Sequence, residues 1–440
     1  MTGTLTPSRT DAPARVRAVS PLRTELRRGL GPWTGAAVAL TVLVAMYGKA
    51  PQWQTRWTDV TGLLHVAVGL LGGPLALAAG GWQGGRDRRR GTTELWASVP
   101  RFPLRRLLVS VAPSALWPVA GVLLADAVCL SATWPYVSAG RPFLELLAAD
   151  AVAVGCLGAL GHLAGRLVPW RLTAPLLGIV GYVGLAVGTY TQATARWLGP
   201  AVEYRSPWAQ AVWWFAPVSV AWTAGLALAA LLAYGAHTAR LRALALIPLS
   251  VAVAAAGLIL RLPPDEGPWR PDPALTRPVC DGGTPRVCVT ALDRKLLPAV
   301  SEALAPVNAR LKGLPGAPAR WAAGPLDPLP GDVELMDPAA DTARGRIERA
   351  DLYRNSAVMQ LFSDTCRPGD LTGPDAERAM TVNAAVIEWL APTPDDFGPD
   401  VPGTRTYIDR LNAKSPAAQR DYLTRYLAAN PCHPDEVPIP

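Results

Sequence analysis

The sequence contains little charge for its length. Only 17% of its 440 residues are Asp, Glu, Lys or Arg, while 50% are hydrophobic, and a typical soluble domain carries about 25% charged residues. Between Leu30 and Leu262 the apolar residues form runs of roughly 18 to 26 residues, each about long enough to cross the hydrocarbon core of a bilayer. No such run occurs after Pro263. This pattern excludes an ordinary soluble protein and predicts a membrane part followed by a soluble part.

The motifs of several enzyme classes are absent. The sequence has no G-x-x-x-x-G-K-[ST] segment that could hold nucleotide phosphates, and no H-E-x-x-H or G-x-S-x-G motif. Its histidines lie far apart without the spacing of a zinc site; they are His65, His162, His237 and His433. We therefore expect neither enzyme activity nor a cofactor or metal, and any ATP hydrolysis should come from another chain.

Seven apolar segments have the length of transmembrane helices. They cover about residues 32–48, 60–82, 107–132, 144–167, 172–190, 212–234 and 243–260. Pro248 interrupts the seventh, which a transmembrane helix tolerates where neighbouring groups satisfy the freed carbonyl. We expect a polytopic α-helical membrane protein, organised as a cytoplasmic segment (1–30), a transmembrane domain (31–262), a linker (263–276) and an extracytoplasmic domain (277–440).

The distribution of charge predicts the orientation of these segments. Residues 1–262 carry 23 Lys and Arg against 9 Asp and Glu, whereas residues 263–440 carry 19 against 25. The arginines of the first part lie before the first span and in alternate loops, which the positive-inside rule assigns to the cytoplasm. The N-terminus is then cytoplasmic, and seven spans place the C-terminal half outside the plasma membrane. Arginines in short loops indicate contact with the lipid bilayer and not with nucleic acid.

The cysteines agree with this sidedness. Cys129 and Cys156 lie within predicted spans, where an unpaired thiol behaves as a small hydrophobe. The other four cysteines lie in the C-terminal half, which is typical of an oxidising compartment. Three pairings are open, and four reduced thiols in a cytoplasmic domain are the alternative. The favoured disulfides are Cys280 with Cys288 and Cys366 with Cys432.

Three ionisable residues within the predicted spans are candidates for function, namely Asp126, Asp150 and His162. Such groups are costly in lipid and usually face a bundle interior or a cavity. The alternatives are a structural hydrogen bond to a neighbouring helix for Asp126 and a position at the membrane interface for Asp150.

Small residues recur along the fourth predicted span. Glycines at short intervals let two helices approach each other closely, and we expect close packing along this face. These residues are Gly155, Gly158, Gly161 and Gly165.

The segment between the second and third spans is basic and amphipathic. In "RRRGTTELWASVPR", Thr92 or Thr93 is a suitable helix N-cap and Glu94 falls in the first turn, where negative charge is favourable. Pro100 and Pro103 end the helix. We expect a short helix along the inner membrane surface. A topology determinant that contacts lipid headgroups is the simplest interpretation.

This arrangement resembles the segment between the second and third spans of type-2 ABC exporter permeases. The matching residues are Arg89, Arg90, Gly91, Thr92, Glu94, Leu95, Ser98, Pro100, Arg105 and Arg106. The resemblance covers about residues 15–240 and implies a permease-like membrane subunit that pairs with a second permease copy or a paralogue. It also implies that this segment docks on a separate ABC ATPase subunit and transmits its motion. The implied coupling residues are Gly91, Thr92, Glu94, Leu95, Trp96, Val99 and Pro100.

The C-terminal half departs from that family, whose core usually ends after six spans. Its pattern predicts a mostly helical α+β domain with a hairpin around residues 279–289, a helix over 293–314 broken near Pro298 or Pro306, and a strand over 331–336. Further helices are expected within 342–366, 374–391 and 415–430. The arrangement resembles extracytoplasmic domains of unknown function attached to actinobacterial membrane proteins. The alternative function is a membrane-anchored extracytoplasmic sensor or binding protein that uses the helices as a scaffold.

Overall fold

The computed structural model of the protein is mostly helical, with small β-sheets. It describes residues 21–27, 29–92, 102–190, 193–202, 207–326, 329–340, 342–363, 374–394, 401–429 and 434–440.

Each of the seven predicted spans corresponds to a helix. The helices up to residue 259 are α1 (Pro21–Arg27), α2 (Gly31–Tyr47), α3 (Trp57–Gly84), α4 (Arg86–Arg89), α5 (Pro103–Thr133), α6 (Leu144–Leu167), α7 (Thr173–Tyr190), α8 (Phe215–Gly235) and α9 (Ala239–Ile259). Within the described residues, α3, α5, α6, α8 and α9 are long and apolar enough to cross a membrane, whereas α2 and α7 are apolar but shorter. The chain is therefore a polytopic helical protein, and the count of seven spans stays a prediction.

Pro248 does not break the seventh segment in its middle. A turn at Leu244 and Ala245 divides α9, and the helix resumes at Leu246. Pro248 thus lies in a first turn, where the N–H that proline lacks would have no helical partner.

The outer surfaces of α7 and α9 are apolar. Ile179 and Val180 on α7 are 60% and 66% exposed, and Ile247 and Val253 on α9 are 63% and 61% exposed. Such exposed apolar faces are typical of helices that contact lipid or another membrane helix.

The glycines of α6 pack closely against its neighbours, as their spacing predicts: Gly161 and Gly165 face α3, whereas Gly155 and Gly158 face α5. A Cβ atom placed on Gly161 would lie 2.1 Å from the carbonyl oxygen of Leu77, and one on Gly165 would lie 2.0 Å from that of Gly81. From the α3 side, a Cβ on Gly80 would lie 2.1 Å from the carbonyl oxygen of Gly158. The two backbones approach so closely that no side chain fits between them, which confirms the predicted close packing of this face.

The basic loops lie together at one end of the bundle. Arg86 of α4 contacts Glu25 of α1 at 3.1 Å, and Arg166 at the end of α6 contacts Asp87 at 3.1 Å. The end of α8 packs on the start of α5 at the same end. The C-terminal part contacts the opposite end, where the ammonium of Lys295 donates to the carbonyl oxygen of Pro135 at 2.9 Å. Assignment of the basic end to the cytoplasm stays a prediction.

Residues beyond the last long helix form short strands and several helices. The strands, with one contributed by the loop before α8, are β1 (Ala209–Ala211), β2 (Trp269–Pro271), β3 (Pro278–Cys280), β4 (Arg286–Thr290), β5 (Arg320–Ala323), β6 (Asp332–Leu335), β7 (Thr342–Ala343) and β8 (Arg346–Ile347). The helices are α10 (Pro273–Thr276), α11 (Leu297–Leu311), α12 (Ala350–Ser363), α13 (Pro374–Leu390), α14 (Thr404–Ala413) and α15 (Pro416–Ala428).

The central sheet has the order β3-β4-β5-β6. β3 pairs antiparallel with β4, and β4, β5 and β6 are parallel. The chain crosses from β4 to β5 through α11, whose buried face packs on Trp321 and Val287 of the sheet. A two-stranded sheet of β1 and β2 joins the loop before α8 to the predicted linker. The linker therefore includes a strand and the short helix α10.

Three expectations about the C-terminal part need correction. α11 is continuous, because Pro298 lies in its first turn and the helix accommodates Pro306 in its interior. Residues 342–347 form the hairpin of β7 and β8, where Arg344 and Gly345 adopt positive φ, so the expected helix begins only at Ala350. α14 and the parallel pairing of β5 carry no signal that was used to predict them from the sequence.

One predicted disulfide is confirmed. Cys280 and Cys288 are bonded and are directly opposed across β3 and β4, which form the predicted hairpin. The predicted partners Cys366 and Cys432 lie outside the described residues. Cys129 and Cys156 are free thiols within α5 and α6.

Candidate functional site

A buried hydrogen-bonded pair of a histidine and an aspartate joins α3 and α6. Nδ1 of His65 lies 2.8 Å from both carboxylate oxygens of Asp150, and the two residues are only 7% and 3% exposed. Asp150 therefore faces the interior of the bundle, and its depth relative to the membrane interface stays a prediction. Sequence reasoning missed His65, because nothing in the local pattern relates two residues that are 85 positions apart.

Asp126 of α5 lies in the same region of the bundle. It is 5% exposed, and neither of its carboxylate oxygens has a hydrogen-bond partner among the described residues. Within the described residues, Asp126 therefore does not form the structural hydrogen bond that was its alternative role. Asp126 interacts electrostatically with Asp150. A buried carboxyl group without a donor is costly in an apolar interior and marks a candidate site for a proton or a cationic ligand.

His162 belongs to a second polar group nearer the basic end. Its Nδ1 lies 3.0 Å from the hydroxyl of Ser114, and its Nε2 lies 3.4 Å from the hydroxyl of Ser110. The Ser114 hydroxyl also lies 3.2 Å from Oε1 of Gln83. The Nε2 of Gln83 is buried and has no acceptor within the described part of the chain.

The three predicted intramembrane candidates thus fall into two groups. Asp150 and His162 are twelve residues apart on α6, which corresponds to about 18 Å along a helix. All of the buried polar side chains involved come from α3, α5 and α6. The structure places Asp126 beside Asp150 but separates both from His162. Both groups place hydrogen-bonding side chains inside the bundle, where such residues can bind a polar species.

A cavity of about 250 Å³ opens beside His162 at the basic end of the bundle. Its charged lining consists of three arginines and one glutamate. The lining residues are Glu25, Gly29, Leu30, Trp82, Gln83, Arg86, Arg89, Arg90, Ser110, Pro113 and His162. The second polar group is therefore connected to a basic opening.

The predicted ATPase-coupling segment is described only at its start. Gly91 has a φ of +66°, which glycine adopts without strain, and the backbone N–H of Thr92 donates to the carbonyl oxygen of Asp87 at 3.0 Å. The remaining coupling residues lie outside the described residues; they are Glu94, Leu95, Trp96, Val99 and Pro100.

At the opposite end, Arg56 connects the loop before α3 to the C-terminal part. Its guanidinium donates to Asp293 at 2.6 and 2.7 Å and to Asp337 at 2.8 Å, and the arginine is 1% exposed. It also lies over the ring of Trp208 at 5.8 Å. Burial by itself lowers the pKa of Arg56, but the carboxylates of Asp293 and Asp337 raise it above its ordinary value. This residue resembles an ordinary loop arginine in the sequence, where no local signal identifies it.

The described residues contain no group of three or more His, Cys, Asp or Glu side chains placed to hold a metal ion. The two histidines of the bundle instead contact a carboxylate and two hydroxyls.

These features define a polytopic α-helical protein whose apolar helices suit a membrane and whose polar side chains face the bundle interior. No protein-family model, curated protein or solved structure matches the chain.

Proposed function

We propose that this protein is a permease-like subunit of an ABC-type exporter in the plasma membrane. In this proposal seven helices cross the bilayer, the N-terminus is cytoplasmic, and residues 277–440 form an extracytoplasmic domain. A separate ATPase subunit acts on residues 86–106, and a second permease copy or a paralogue completes the translocation pathway. The chain itself hydrolyses no ATP.

The observation that carries this proposal is the attachment of α4 to the bundle. Arg86 is bound to Glu25 of α1, and Asp87 is bound to Arg166 of α6. Arg88 donates to the carbonyl oxygen of Arg166 at 2.8 Å. α3 ends immediately before α4, and α5 begins shortly after it. A force applied to the segment between α4 and α5 would therefore reach α1, α3, α5 and α6 together.

The buried polar groups support a transport role. Asp126, Asp150 and His162 lie on the helices to which this force would be transmitted. Keeping ionisable side chains inside an apolar bundle is costly and is usual where a polar species is bound or passed on.

The experiment compares two pairs of substitutions within or next to loops that are both predicted to be cytoplasmic. Leu95→Ala with Trp96→Ala alters the coupling segment, and Trp170→Ala with Leu172→Ala removes the same side-chain types after α6, where they are 56% and 50% exposed. We expect the first pair to reduce at least about tenfold the ATPase subunit retained after purification in mild detergent, because a few central apolar contacts dominate an interface. The second pair should retain it.

Equal retention by both variants would contradict the proposal, provided that both insert into the membrane. Capture of a signalling regulator or a secreted ligand, with no ATPase, would favour the sensor or binding protein. The observation that favours this second candidate is the buried contact of Arg56 with Asp293, which could carry a signal from the C-terminal part to the helices.

A further inference from the structure

The cavity at the basic end is lined by more positively than negatively charged side chains. Arg86, Arg89 and Arg90 face a single lining carboxylate, that of Glu25. Arg86 is paired with Glu25 at 3.1 Å and also lies 3.6 Å from Asp87. The local carboxylates are therefore already engaged by Arg86 and by Arg166, which contacts Asp87.

Arg89 and Arg90 are not neutralised in this way. In the described part of the chain, no carboxylate lies within ion-pair distance of either guanidinium. Arg89 stacks on the ring of Trp82 at 4.2 Å and donates to the carbonyl oxygen of the same residue. Burial and the charge of Arg90 lower the pKa of Arg89. These contacts hold the guanidinium of Arg89 in position, and none of them involves a carboxylate of the described residues.

The inner wall of the cavity offers a further donor. The carboxamide oxygen of Gln83 is near the Ser114 hydroxyl at 3.2 Å, which orients the side chain. Its Nε2 is buried without an acceptor among the described residues. An unpaired buried N–H group gains stability from a ligand oxygen. Two guanidinium groups, of which Arg89 is held against Trp82, suit the several oxygens of a phosphate group when a neutral donor lies beside them.

We propose that this cavity binds the phosphate group of an anionic ligand, held by Arg89, Arg90 and Gln83. A neutral or cationic ligand would gain no electrostatic attraction from the two arginines. The phosphate can belong to an anionic lipid headgroup, since basic pockets between membrane helices bind such groups, or to a water-soluble phosphate compound. Such a site could serve either an exporter or a sensor, because its recognition chemistry is independent of coupling to an ATPase.

The test uses the detergent-solubilised full-length chain and its thermal unfolding, because a ligand that binds the folded state raises the melting temperature. Phosphatidylglycerol, phosphatidylcholine and glycerol 3-phosphate are titrated separately. Stabilisation by phosphatidylglycerol alone identifies a lipid headgroup site, and equal stabilisation by glycerol 3-phosphate identifies a site for soluble phosphate compounds. We expect phosphatidylcholine to have no comparable effect.

Two double variants separate the cavity from general surface charge. Arg89→Gln with Arg90→Gln removes the two cavity arginines that have no carboxylate partner among the described residues, whereas Arg240→Gln with Arg242→Gln removes two exposed arginines of α9 that do not line the cavity. Each basic side chain near an anionic surface strengthens binding about fivefold, so we expect roughly 25-fold weaker binding by the first variant and smaller weakening by the second.

Gln83→Leu provides a test that leaves every charge in place. We expect this variant to weaken ligand binding about threefold to tenfold through loss of one donor, while its melting temperature without ligand stays close to that of the wild type. The proposal would be overturned if the two arginine double variants weakened ligand binding equally. It would also be overturned if neither phosphatidylglycerol nor glycerol 3-phosphate stabilised the wild type.

Discussion

At the scale of single residues, the two buried carboxyl groups of the bundle, Asp126 and Asp150, differ in their hydrogen-bond partners. Asp150 has His65 at 2.8 Å, whereas Asp126 has no hydrogen-bond partner among the described residues. Removing one member of a buried charged pair leaves the other unsatisfied, and this costs more than replacing both by apolar residues. The His65–Asp150 pair can therefore be examined by a double-mutant cycle.

We expect His65→Leu to destabilise the protein by about 3 kcal/mol, because the Asp150 carboxyl group then loses its buried partner. The combination of His65→Leu with Asp150→Leu should be less destabilised than the sum of the single variants. Unfolding in mixed detergent micelles measures these free energies. His237→Leu, at an exposed histidine, is the control and should change stability by less than about 0.5 kcal/mol. Additive single effects would show that the two side chains are not coupled.

At the scale of elements, the packing of α3 on α6 depends on the absence of side chains. The carbonyl oxygens of Leu77 and Gly81 lie where the Cβ atoms of Gly161 and Gly165 would be. Backbone atoms cannot rotate away as side chains do, so an added methyl group must separate the helices. This packing also carries His65 and Asp150 to within bonding distance.

Gly165→Ala should destabilise the protein by about 2 kcal/mol, since overpacking of a close contact typically costs 1–3 kcal/mol. The matched control is Gly184→Ala on α7, where a Cβ would meet no atom within 4 Å. That substitution should be neutral or slightly stabilising, because alanine favours helix more than glycine does. Unfolding of both variants in the same detergent makes the comparison, and equal effects would contradict the observed helix contact.

At the scale of the whole molecule, the C-terminal part is attached to the helices through buried contacts. Arg56 contacts both Asp293 and Asp337, the hydroxyl of Thr55 donates to the backbone carbonyl of Thr342 at 3.2 Å, and β1 pairs with β2. Buried ion pairs of this kind are strongly destabilising when only one partner is removed. The attachment should therefore respond to a single substitution.

Arg56→Met should weaken this attachment by about 3–5 kcal/mol, because Asp293 is left buried without its cationic partner. We expect faster proteolytic cleavage within residues 263–276 in the variant. Arg141→Gln is the control, since it breaks the surface pair with Glu145, whose members are 56% and 33% exposed, and such pairs contribute less than about 1 kcal/mol. Cleavage at the same rate in both variants would show that Arg56 does not hold the two parts together.

Much of the fold follows from patterns within short stretches of the chain. The apolar runs predicted the seven helical segments, and the spacing of Gly161 and Gly165 predicted close packing. The Gly-Gly turn between Cys280 and Cys288 predicted a hairpin and its disulfide. These features depend on residues that are close together in sequence, and the structure agrees with the conformations that those residues favour locally. Pro306 was misread because tertiary packing stabilises a helix that its local propensity disfavours.

The sequence by itself determined that the first part of the chain is helical, because an apolar run in a membrane must satisfy its backbone hydrogen bonds internally. It also determined which ionisable residues lie within those helices. Only the tertiary structure decided their partners, since His65 and Asp150 are 85 residues apart and Arg56 and Asp293 are 237 residues apart. The physical reason is that side chains so distant in sequence meet only through the packing of helices and loops, which no local pattern encodes.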